Sequence, residues 1–233
     1  MPRSPNRLLA SLPSADYERI APMLQPVPLA AGQTIYRVKA PIDTVYFPLG
    51  GMISAMAVMH DGAAVEVAAV GNEGMTGLTA FMGTEVSPYE VMVQVPGEAL
   101  RMDAAVLKAE ADRPGPLRHM LSQYYNAFTF QVSYSVACNG LHRVEQRCCR
   151  WLLMAADRVG SNVLTLTHDL IGMVLGVRRA SVSHVLRVLE ERGLVHIVRR
   201  EVAIIDRPGL EAAACECYRK VADDYDHLFG AKS

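Results

Sequence analysis

The chain has 233 residues, of which 51 % are apolar, and a formal net charge of −1. It is long enough for one large domain or two small ones around a real core. Five cysteines without a paired framework predict a reducing, cytoplasmic location rather than a disulfide-stabilised secreted protein. No stretch is apolar enough to span a bilayer, and residues 1–20 lack the apolar core of a signal peptide.

The motifs of common metal sites and enzymes are missing from the sequence. It contains no CxxC, HExxH or histidine-rich spacing, so no metal or cofactor site is predicted. It also contains no P-loop, no nucleophile elbow and no carboxylate pair in a recognisable context, so an enzyme is not expected.

The small net charge hides an uneven distribution. Residues 1–113 hold 8 Lys/Arg and 12 Asp/Glu, whereas residues 141–205 hold 10 Lys/Arg and 6 Asp/Glu. Positive charge therefore concentrates where contacts with phosphates are predicted below. Chance variation of the surface charge is the alternative explanation for so small an excess.

The N-terminal half changes from a helical to a strand pattern. Asn6–Leu24 is predicted to be a short helix or helical pair that ends at prolines. From residue 29 to residue 107 the apolar runs are short and glycine recurs. Asp61-Gly62 between Ser54–His60 and Ala63–Val70 is the strongest hairpin signal. Many short strands predict a small barrel or roll, which either encloses a ligand or is simply a packed core.

A long uncharged helix is predicted to follow a short helix over Asp103–Asp112. Pro114 and Pro116 open it, and Met120–Gly140 contains no formal charge. A helix uncharged all round is usually buried on several sides. We predict that one side faces the roll and the other a second copy, with burial within the monomer as the alternative. The predicted dimerisation stripe consists of Leu117, Leu121, Tyr124, Phe128 and Val132. Asn139-Gly140 is predicted to be its C-cap and a hinge.

Two further helices are predicted around the C-terminal part of the chain. Leu141–Val159 is amphipathic, and its adjacent Cys148 and Cys149 are interpreted as core residues, with a redox role as the minor alternative. Pro208–Phe229 is predicted to be one last helix, on which Cys215 and Cys217 point to different faces.

Between them, residues 164–205 have the pattern of a helix-turn-helix with a β-wing. Thr167 is predicted to cap a helix that ends at Gly176, where a sharp turn needs a positive φ. The second helix spans residues 178–192, with one apolar face formed by Val182, Val185, Leu186 and Leu189. Its opposite face carries Arg179, Ala180, Ser183, His184 and Arg187, and Arg199 and Arg200 lie at the wing tip. Such a helix presents its polar face to a major groove; an ordinary helical hairpin with solvated arginines is the alternative.

The order of these elements resembles the Crp/Fnr family of bacterial transcription regulators over nearly the whole chain. The resemblance is strongest in LTLTHDLIGMVLGVRRASVSHVLRVLEERGLV. It implies an α+β chain with an N-terminal double-stranded, cyclic-nucleotide-binding-like β-roll (1–113), a central dimerisation helix (114–140) and a C-terminal winged helix-turn-helix (141–233). The implied partners are double-stranded DNA with a palindromic operator and a second copy of the chain. RNA polymerase and an unidentified small-molecule effector are further candidates, and a membrane is not expected.

The resemblance assigns residues to the DNA interface. Arg179 matches the family's guanine-reading arginine, Ala180 stands where a glutamate is common, and His184 stands where an arginine is common. The operator is therefore expected to differ from the commonest consensus. Pattern and resemblance together predict DNA contacts by Thr167, His168, Arg178, Arg179, Ser181, Ser183, His184, Arg187, Arg199 and Arg200.

The sensor half departs further from the family pattern. The family's Gly-Glu element appears here in reversed order as Glu73-Gly74, and Pro88 is followed by Tyr89 instead of the phosphate-binding arginine. Since a buried phosphate without a cation is costly, binding of cyclic AMP is not expected. The candidate ligand pocket consists of Glu73, Gly74, Met75, Thr76, Tyr89 and Tyr124. An iron–sulfur cluster at the family's N-terminal cysteines is not expected, because the first cysteine is Cys138, and no particular histidine is indicated for haem.

Three functions are thus compared. The first is a dimeric, sequence-specific transcription regulator whose N-terminal domain senses an unidentified signal. The second is a ligand-sensing or interaction module with weak or lost DNA binding. The third, an enzyme, has no motif in its favour.

Overall fold

A computed structural model of the chain describes residues 4–230. It begins with α1 (Arg7–Ala10), α2 (Ser14–Ile20) and a 3-10 turn (Ala21–Met23), which confirms the predicted helical pair. The Asn6 side chain caps α1 by accepting a hydrogen bond from the Leu9 amide, and it donates to the carbonyls of Pro48 and Gly74 at 2.8 Å each. This one side chain thereby fastens the helical pair to the domain that follows.

Seven antiparallel strands form the N-terminal roll. They are β1 (Gln25–Leu29), β2 (Thr34–Tyr36), β3 (Thr44–Pro48), β4 (Met52–Val58), β5 (Ala64–Val70), β6 (Glu90–Val95) and β7 (Gly97–Asp103). One sheet has the order β1-β7-β3 and the other β2-β6-β4-β5. The predicted hairpin is confirmed, because β4 pairs with β5 and Gly62 adopts a φ of +86° in the turn between them. The predicted β-roll is therefore confirmed.

Three helices lead away from the roll: α3 (Ala104–Asp112), α4 (Pro116–Leu141) and α5 (Val144–Val159). The predicted end of the central helix is wrong. Gly140 stays helical, and the His142 amide still donates to the carbonyl of Cys138 at 3.1 Å. The bend lies at His142 and Arg143, both of which are extended. Within residues 4–230, no helix combines the length and the apolar character needed to cross a membrane.

The C-terminal part contains the predicted winged helix-turn-helix. It comprises β8 (Val163–Thr165), α6 (His168–Leu175), α7 (Arg179–Glu191), β9 (Val195–Val198) and β10 (Glu201–Ile204), with the strand order β8-β10-β9. Thr167 caps α6 by accepting from the Leu170 amide at 3.1 Å, and Gly176 ends it at a φ of +63°. Both predicted signals are confirmed; β8 was not predicted.

The last predicted helix is two helices, α8 (Arg207–Ala213) and α9 (Cys217–Leu228). The chain is extended at Ala214, with a ψ of 160°, so a helix cannot run through this position. Because of this break, α9 packs along α4, and the rings of Tyr225 and Tyr124 lie 6.2 Å apart between their centroids. The break also changes where Cys215 and Cys217 point.

The predicted dimerisation stripe of α4 faces this chain's own core. Leu117, Leu121 and Tyr124 are between 0 % and 4 % exposed. Phe128 and Val132 are half-buried against the same core. Three of the five predicted residues are therefore unavailable to a second copy, which corrects the prediction. The exposed face of α4 is a different one, and it carries Ser122, Asn126, Thr129, Ser133, Val136 and Leu141.

A buried polar junction joins the roll, α4 and α5. Arg158 of α5 donates from Nε to Glu73 of the roll at 2.9 Å and from a terminal nitrogen to Gln131 of α4, also at 2.9 Å. Gln131 in turn donates to the carbonyl of Ala69 in β5 at 2.9 Å. Glu73 is 5 % exposed and Arg158 7 %. The position of α5, and of the helix-turn-helix built on it, is thus set by contacts with both other parts of the chain.

We expect Arg158→Met to lower the free energy of unfolding by about 3–5 kcal/mol, because it leaves the Glu73 carboxylate buried without its partner. Arg187→Met is the matched control: its pair with Glu191 is exposed, so its loss should cost about 1 kcal/mol or less. Urea denaturation monitored by circular dichroism measures both. Equal losses in the two variants would show that the junction contributes no special stability.

Candidate functional site

The polar face of α7 is free of contacts with the protein core. Val182, Val185, Leu186 and Leu189 are buried, which confirms the predicted apolar face. On the other side the exposed residues are Arg178, Arg179, Ala180, His184 and Arg187, and Ser181 and Ser183 are half-buried. The helix therefore packs through one face and leaves the other open to a large ligand.

Two polar contacts connect α6 and α7. The Nδ1 atom of His168 lies 2.8 Å from the Ser183 hydroxyl, so these two predicted DNA contacts also brace the two helices against each other. Asp169 lies 3.4 Å from Arg179, and both side chains are about two-thirds exposed. Since an exposed ion pair contributes little, Arg179 can exchange this carboxylate for another partner at small cost.

The remaining predicted contacts lie on the same helix and on the wing. Arg187 donates to Glu191 at 2.7 Å and lies 3.2 Å from Nδ1 of His184. At the tip between β9 and β10, Arg199 has a φ of +53° and both Arg199 and Arg200 are exposed. The Leu166 amide donates to the carbonyl of Arg200, so the wing is held beside the start of α6.

The four-stranded sheet of the roll and α4 form a partly open cavity of about 290 Å³. Its wall includes Tyr36, Ile42, Ile53, Ala55, Val70, Met75, Thr76, Leu78, Ser87, Tyr89, Val91, Tyr125, Phe128 and Val132. Among the described residues that line it, none carries a formal charge. Thr76, Ser87 and the tyrosines supply hydroxyl groups. The cavity therefore suits an uncharged, largely apolar molecule with a few hydrogen-bonding groups.

Only half of the predicted pocket residues line this cavity: Met75, Thr76 and Tyr89. Glu73 lies in the buried junction with Arg158. The Tyr124 hydroxyl accepts from the Met75 amide at 3.1 Å, and burial raises the pKa of Tyr124. Gly74 makes room for it, since a Cβ at this position would clash with that hydroxyl. These three residues support the wall of the cavity from behind.

A second buried carboxylate lies between the roll and the helix-turn-helix domain. The indole of Trp151 in α5 donates to Glu66 of β5 at 3.1 Å, and the Ser54 hydroxyl also donates to it. Burial nevertheless raises the pKa of Glu66. A Cβ on Gly176, in the turn of the helix-turn-helix, would lie 3.2 Å from Val65. The β4–β5 hairpin thus lies directly against the turn that positions α7.

Four side chains with metal-binding groups meet at the end of α4. Cys138, His142, Cys215 and Cys217 each offer one ligand atom, and these four atoms all lie within 4.8 Å of one another. The cysteines are buried and the histidine is half-buried. Neither spacing along the chain is a recognised metal motif, and no metal site was predicted from the sequence. The predicted continuous last helix hid the cluster, because it would have separated Cys215 from Cys217.

Two family matches agree with this architecture. Residues 26–113 match the cyclic nucleotide-binding domain, and residues 146–213 match the Crp-like helix-turn-helix domain. The first match covers the roll, and the second covers α6, α7 and the wing. The chain belongs to the Crp/Fnr family. It is a transcription regulator of that type with a DNA-binding helix-turn-helix.

Relatives of known name extend the likeness over most of the chain. The transcriptional regulatory protein btr of Bordetella pertussis is 25 % identical in an alignment of 219 residues that covers 86 % of this chain and 86 % of btr. The structure of FixK2 from Bradyrhizobium japonicum has a TM-score of 0.71 at 16 % identity, covering 82 % of this chain and 98 % of its own. A CRP-family regulator from Thermus thermophilus has a TM-score of 0.68 at 21 % identity, covering 81 % of this chain and 96 % of its own. At these identities the structures establish the fold alone.

We expect this Crp/Fnr regulator to bind cyclic AMP and cyclic GMP no more tightly than millimolar, because the cavity offers a cyclic phosphate no cation. Tyr89→Arg adds one at the cavity wall and should tighten binding by about tenfold or more, since a charge-assisted hydrogen bond contributes about 1.5–3 kcal/mol. Calorimetric titration decides both points. A micromolar dissociation constant for the wild type would place the phosphate in a different pocket.

Proposed function

We propose that the chain is a homodimeric transcription regulator that reads an inverted-repeat operator and senses an uncharged small molecule in the roll. The observation that carries the proposal is the open polar face of α7. Five exposed residues at its start and middle are held in place by a fully buried apolar face. A helix anchored in this way can enter a major groove without losing contacts to the rest of the domain.

The operator reading is assigned to the first turn of α7. Arg179 is the first residue of this helix, lies on the exposed face, and has only a weak exposed partner in Asp169. Its planar fork matches the O6 and N7 acceptors of guanine. We assign phosphate contacts to the exposed Arg199 and Arg200 at the wing tip, because such contacts add affinity without sequence information.

A second copy is proposed to cover the exposed face of α4. This face is uncharged over more than five helical turns, from Ser122 to Leu141, and Val136 and Leu141 are 66 % and 79 % exposed. Since the opposite face already packs against the roll and α9, a partner helix has this side of α4 left to bind. Two chains related by a two-fold axis would present two copies of α7 to an inverted repeat.

The proposed effector is an uncharged molecule that fits the cavity and touches α4. Tyr125, Phe128 and Val132 of α4 form one wall, and the strands of the roll form the rest. A ligand bound there contacts the proposed dimerisation helix directly. A bound ligand can therefore shift α4 from one position to another, provided that the ligand binds more tightly to the protein when α4 is in the second position.

Selection of bound DNA from a random pool, followed by sequencing, tests the proposed function. An enriched inverted repeat supports a dimeric regulator. The absence of any enriched sequence would instead support a sensor or interaction module that has lost specific DNA binding. No observation on the described residues favours an enzyme.

We predict that replacing Arg179 by alanine and replacing Arg200 by alanine have different effects on DNA binding. Arg179→Ala should cost about 1–3 kcal/mol in operator binding and relax the preference at one base pair of each half-site. Arg200→Ala should lower the affinity for all DNA sequences by the same factor. It should also reduce the slope of log K against log salt by about one for each phosphate that the wing no longer neutralises. Affinities for operator and scrambled DNA at several salt concentrations measure both effects.

The two variants control for each other because both remove one exposed arginine from the same domain. If Arg179→Ala keeps the wild-type ratio of specific to non-specific binding, Arg179 does not read a base. If Arg200→Ala changes that ratio, the wing is a reader and the two roles are reversed.

We predict that Val136→Glu disrupts the dimer, since it places an unpaired carboxylate in the middle of the proposed helix pair. Light scattering at micromolar concentration should show a dimer for the wild type and a monomer for the variant. Val38→Glu, at another exposed valine on the roll, is the matched control and should remain dimeric. A wild-type monomer, or a dimeric Val136→Glu, would contradict the proposed interface.

A further inference from the structure

We propose that Cys138, His142, Cys215 and Cys217 bind one zinc ion, in a site that clamps the end of the central helix to the segment between α8 and α9. Cys138 lies in the last turn of α4 and His142 directly follows the helix, where its amide donates to the Cys138 carbonyl at 3.1 Å and brings the two side chains together. Cys215 lies in the break between α8 and α9, and Cys217, on the other side of Glu216, is the first residue of α9. Segments more than seventy residues apart in the sequence thus supply two ligands each.

The distances between the ligand atoms suit a single tetrahedral ion. The sulfur atoms of Cys138 and Cys215 lie 3.4 Å apart, and the Cys217 sulfur lies 3.7 Å from Nδ1 of His142. Tetrahedral bonds of about 2.3 Å to sulfur and 2.0 Å to nitrogen require ligand atoms separated by about 3.5–3.8 Å. These two pairs are already close to that separation; the other pairs lie within 4.8 Å, so inward shifts of no more than about 1 Å complete the site. An iron–sulfur cluster distributes its ligands over several iron atoms and needs them further apart than this set.

The histidine is already oriented as a metal ligand. Its Nδ1 faces the sulfur of Cys217, and its Nε2 lies 3.1 Å from the carboxylate of Glu216. An N–H at Nε2 that donates to Glu216 leaves the lone pair on Nδ1 directed into the cluster. A carboxylate bound to the far nitrogen of a ligating histidine is the usual support of such a site, because it fixes the tautomer and makes the ring a better ligand.

Two buried arginines beside the cluster provide the matching charge. Arg147 and Arg150 are 7 % and 6 % exposed, and among residues 4–230 neither has a carboxylate within 4.0 Å. Their Nε atoms also have no hydrogen-bond partner within the described part of the chain. Three thiolates and one neutral histidine around Zn²⁺ carry a net charge of −1, so a nearby guanidinium is favourable. Binding would release the three thiol protons to solvent.

The two cysteines outside the cluster show what ordinary burial looks like in this protein. Cys148 and Cys149 are fully buried in α5, and burial raises the pKa of both thiols, that of Cys149 to about 12. Neither belongs to a group of ligands. The four ligand atoms of the cluster, by contrast, all lie within 4.8 Å of one another. These two environments make Cys148 and Cys149 suitable controls.

The metal content of the full chain tests the site. Protein purified under reducing conditions without chelators should contain about one zinc ion per chain by mass spectrometry of the elements. Cys217→Ser should lose at least nine-tenths of the zinc, whereas Cys148→Ala should keep it. Glu216→Gln should retain the ligands but weaken zinc binding by about 10–100-fold in competition with a chromophoric chelator, as expected for a residue that positions His142.

A measurement on the wild type tests the site even if the variants fail to fold. Zinc-free protein titrated with Co²⁺ should develop the intense visible bands of a tetrahedral site and a thiolate charge-transfer band, with one equivalent bound. A weak octahedral spectrum, a metal content near zero, iron in place of zinc, or a Cys138–Cys215 disulfide in protein kept under reducing conditions would each overturn the assignment.

The effect on DNA binding rests on the proposed function. The clamp lies where α4 turns into α5, so removing zinc should loosen the orientation of the DNA-binding domain. If only a tenth of the zinc-free molecules hold the binding orientation, operator affinity falls about tenfold. A protein that contains zinc but binds no operator would contradict the proposed function and still support the metal site. A protein that binds its operator but contains no zinc would contradict the metal site and still support the proposed function.

Discussion

The buried ion pair between Arg158 and Glu73 is the interaction on which the arrangement of the chain depends. A buried pair is tolerable only when its remaining hydrogen-bonding capacity is filled. Glu73 also accepts from the Gly71 amide, and Arg158 also donates to Gln131 and to the carbonyl of Met154. These partners come from the roll, α4 and α5. The pair is therefore satisfied only when all three parts of the chain are in their present positions.

This junction lies close to the cavity as well as to the DNA-binding domain. Gln131 stands on α4 between Phe128 and Val132, both of which line the cavity. On the other side, α5 places Trp151 against Glu66 and directs Arg147 to the carbonyl of Leu175, the last residue of α6. Gln131, which helps to position α5, therefore lies in the same turns of α4 that a bound ligand would touch. An equilibrium between two positions of α4 would bias the helix-turn-helix through these contacts.

Local patterns in the sequence predicted the elements that are determined locally. The cap at Thr167, the turn at Gly176 and the apolar face of α7 all follow from residues within one or two helical turns of each other. The short strands predicted a small barrel or roll, and the family likeness specified it as a cyclic-nucleotide-binding-like roll. What could not be predicted depends on contacts between distant segments. Periodicity showed that α4 has an apolar stripe, but it could not show that this chain's own roll and α9 cover it.

The four-ligand cluster was missed for the same physical reason. Its two halves are separated by more than seventy residues, and they meet only because the chain breaks at Ala214 and α9 packs back along α4. No proline or glycine marks that break, since the sequence there reads AAACECY. A helix drawn through it places Cys215 and Cys217 about 200° apart. The one signal available was the short spacing between Cys215 and Cys217, and this spacing alone is not a metal motif.

The outer face of α4 looks polar in the sequence, yet much of its hydrogen-bonding capacity is already used. The hydroxyls of Ser122, Thr129 and Ser133 each donate to the backbone carbonyl four residues earlier, at 2.9 Å. A hydroxyl bound to its own helix has its donor satisfied, and it loses less on leaving water than a free one. Its small side chain also allows a second backbone to approach closely. If the proposed second copy covers this face, any charge on it would have to be desolvated at a high cost. The proposed dimer would therefore account for the absence of charge on the outer side of α4 between residues 120 and 140, as packing within the chain does for the inner side.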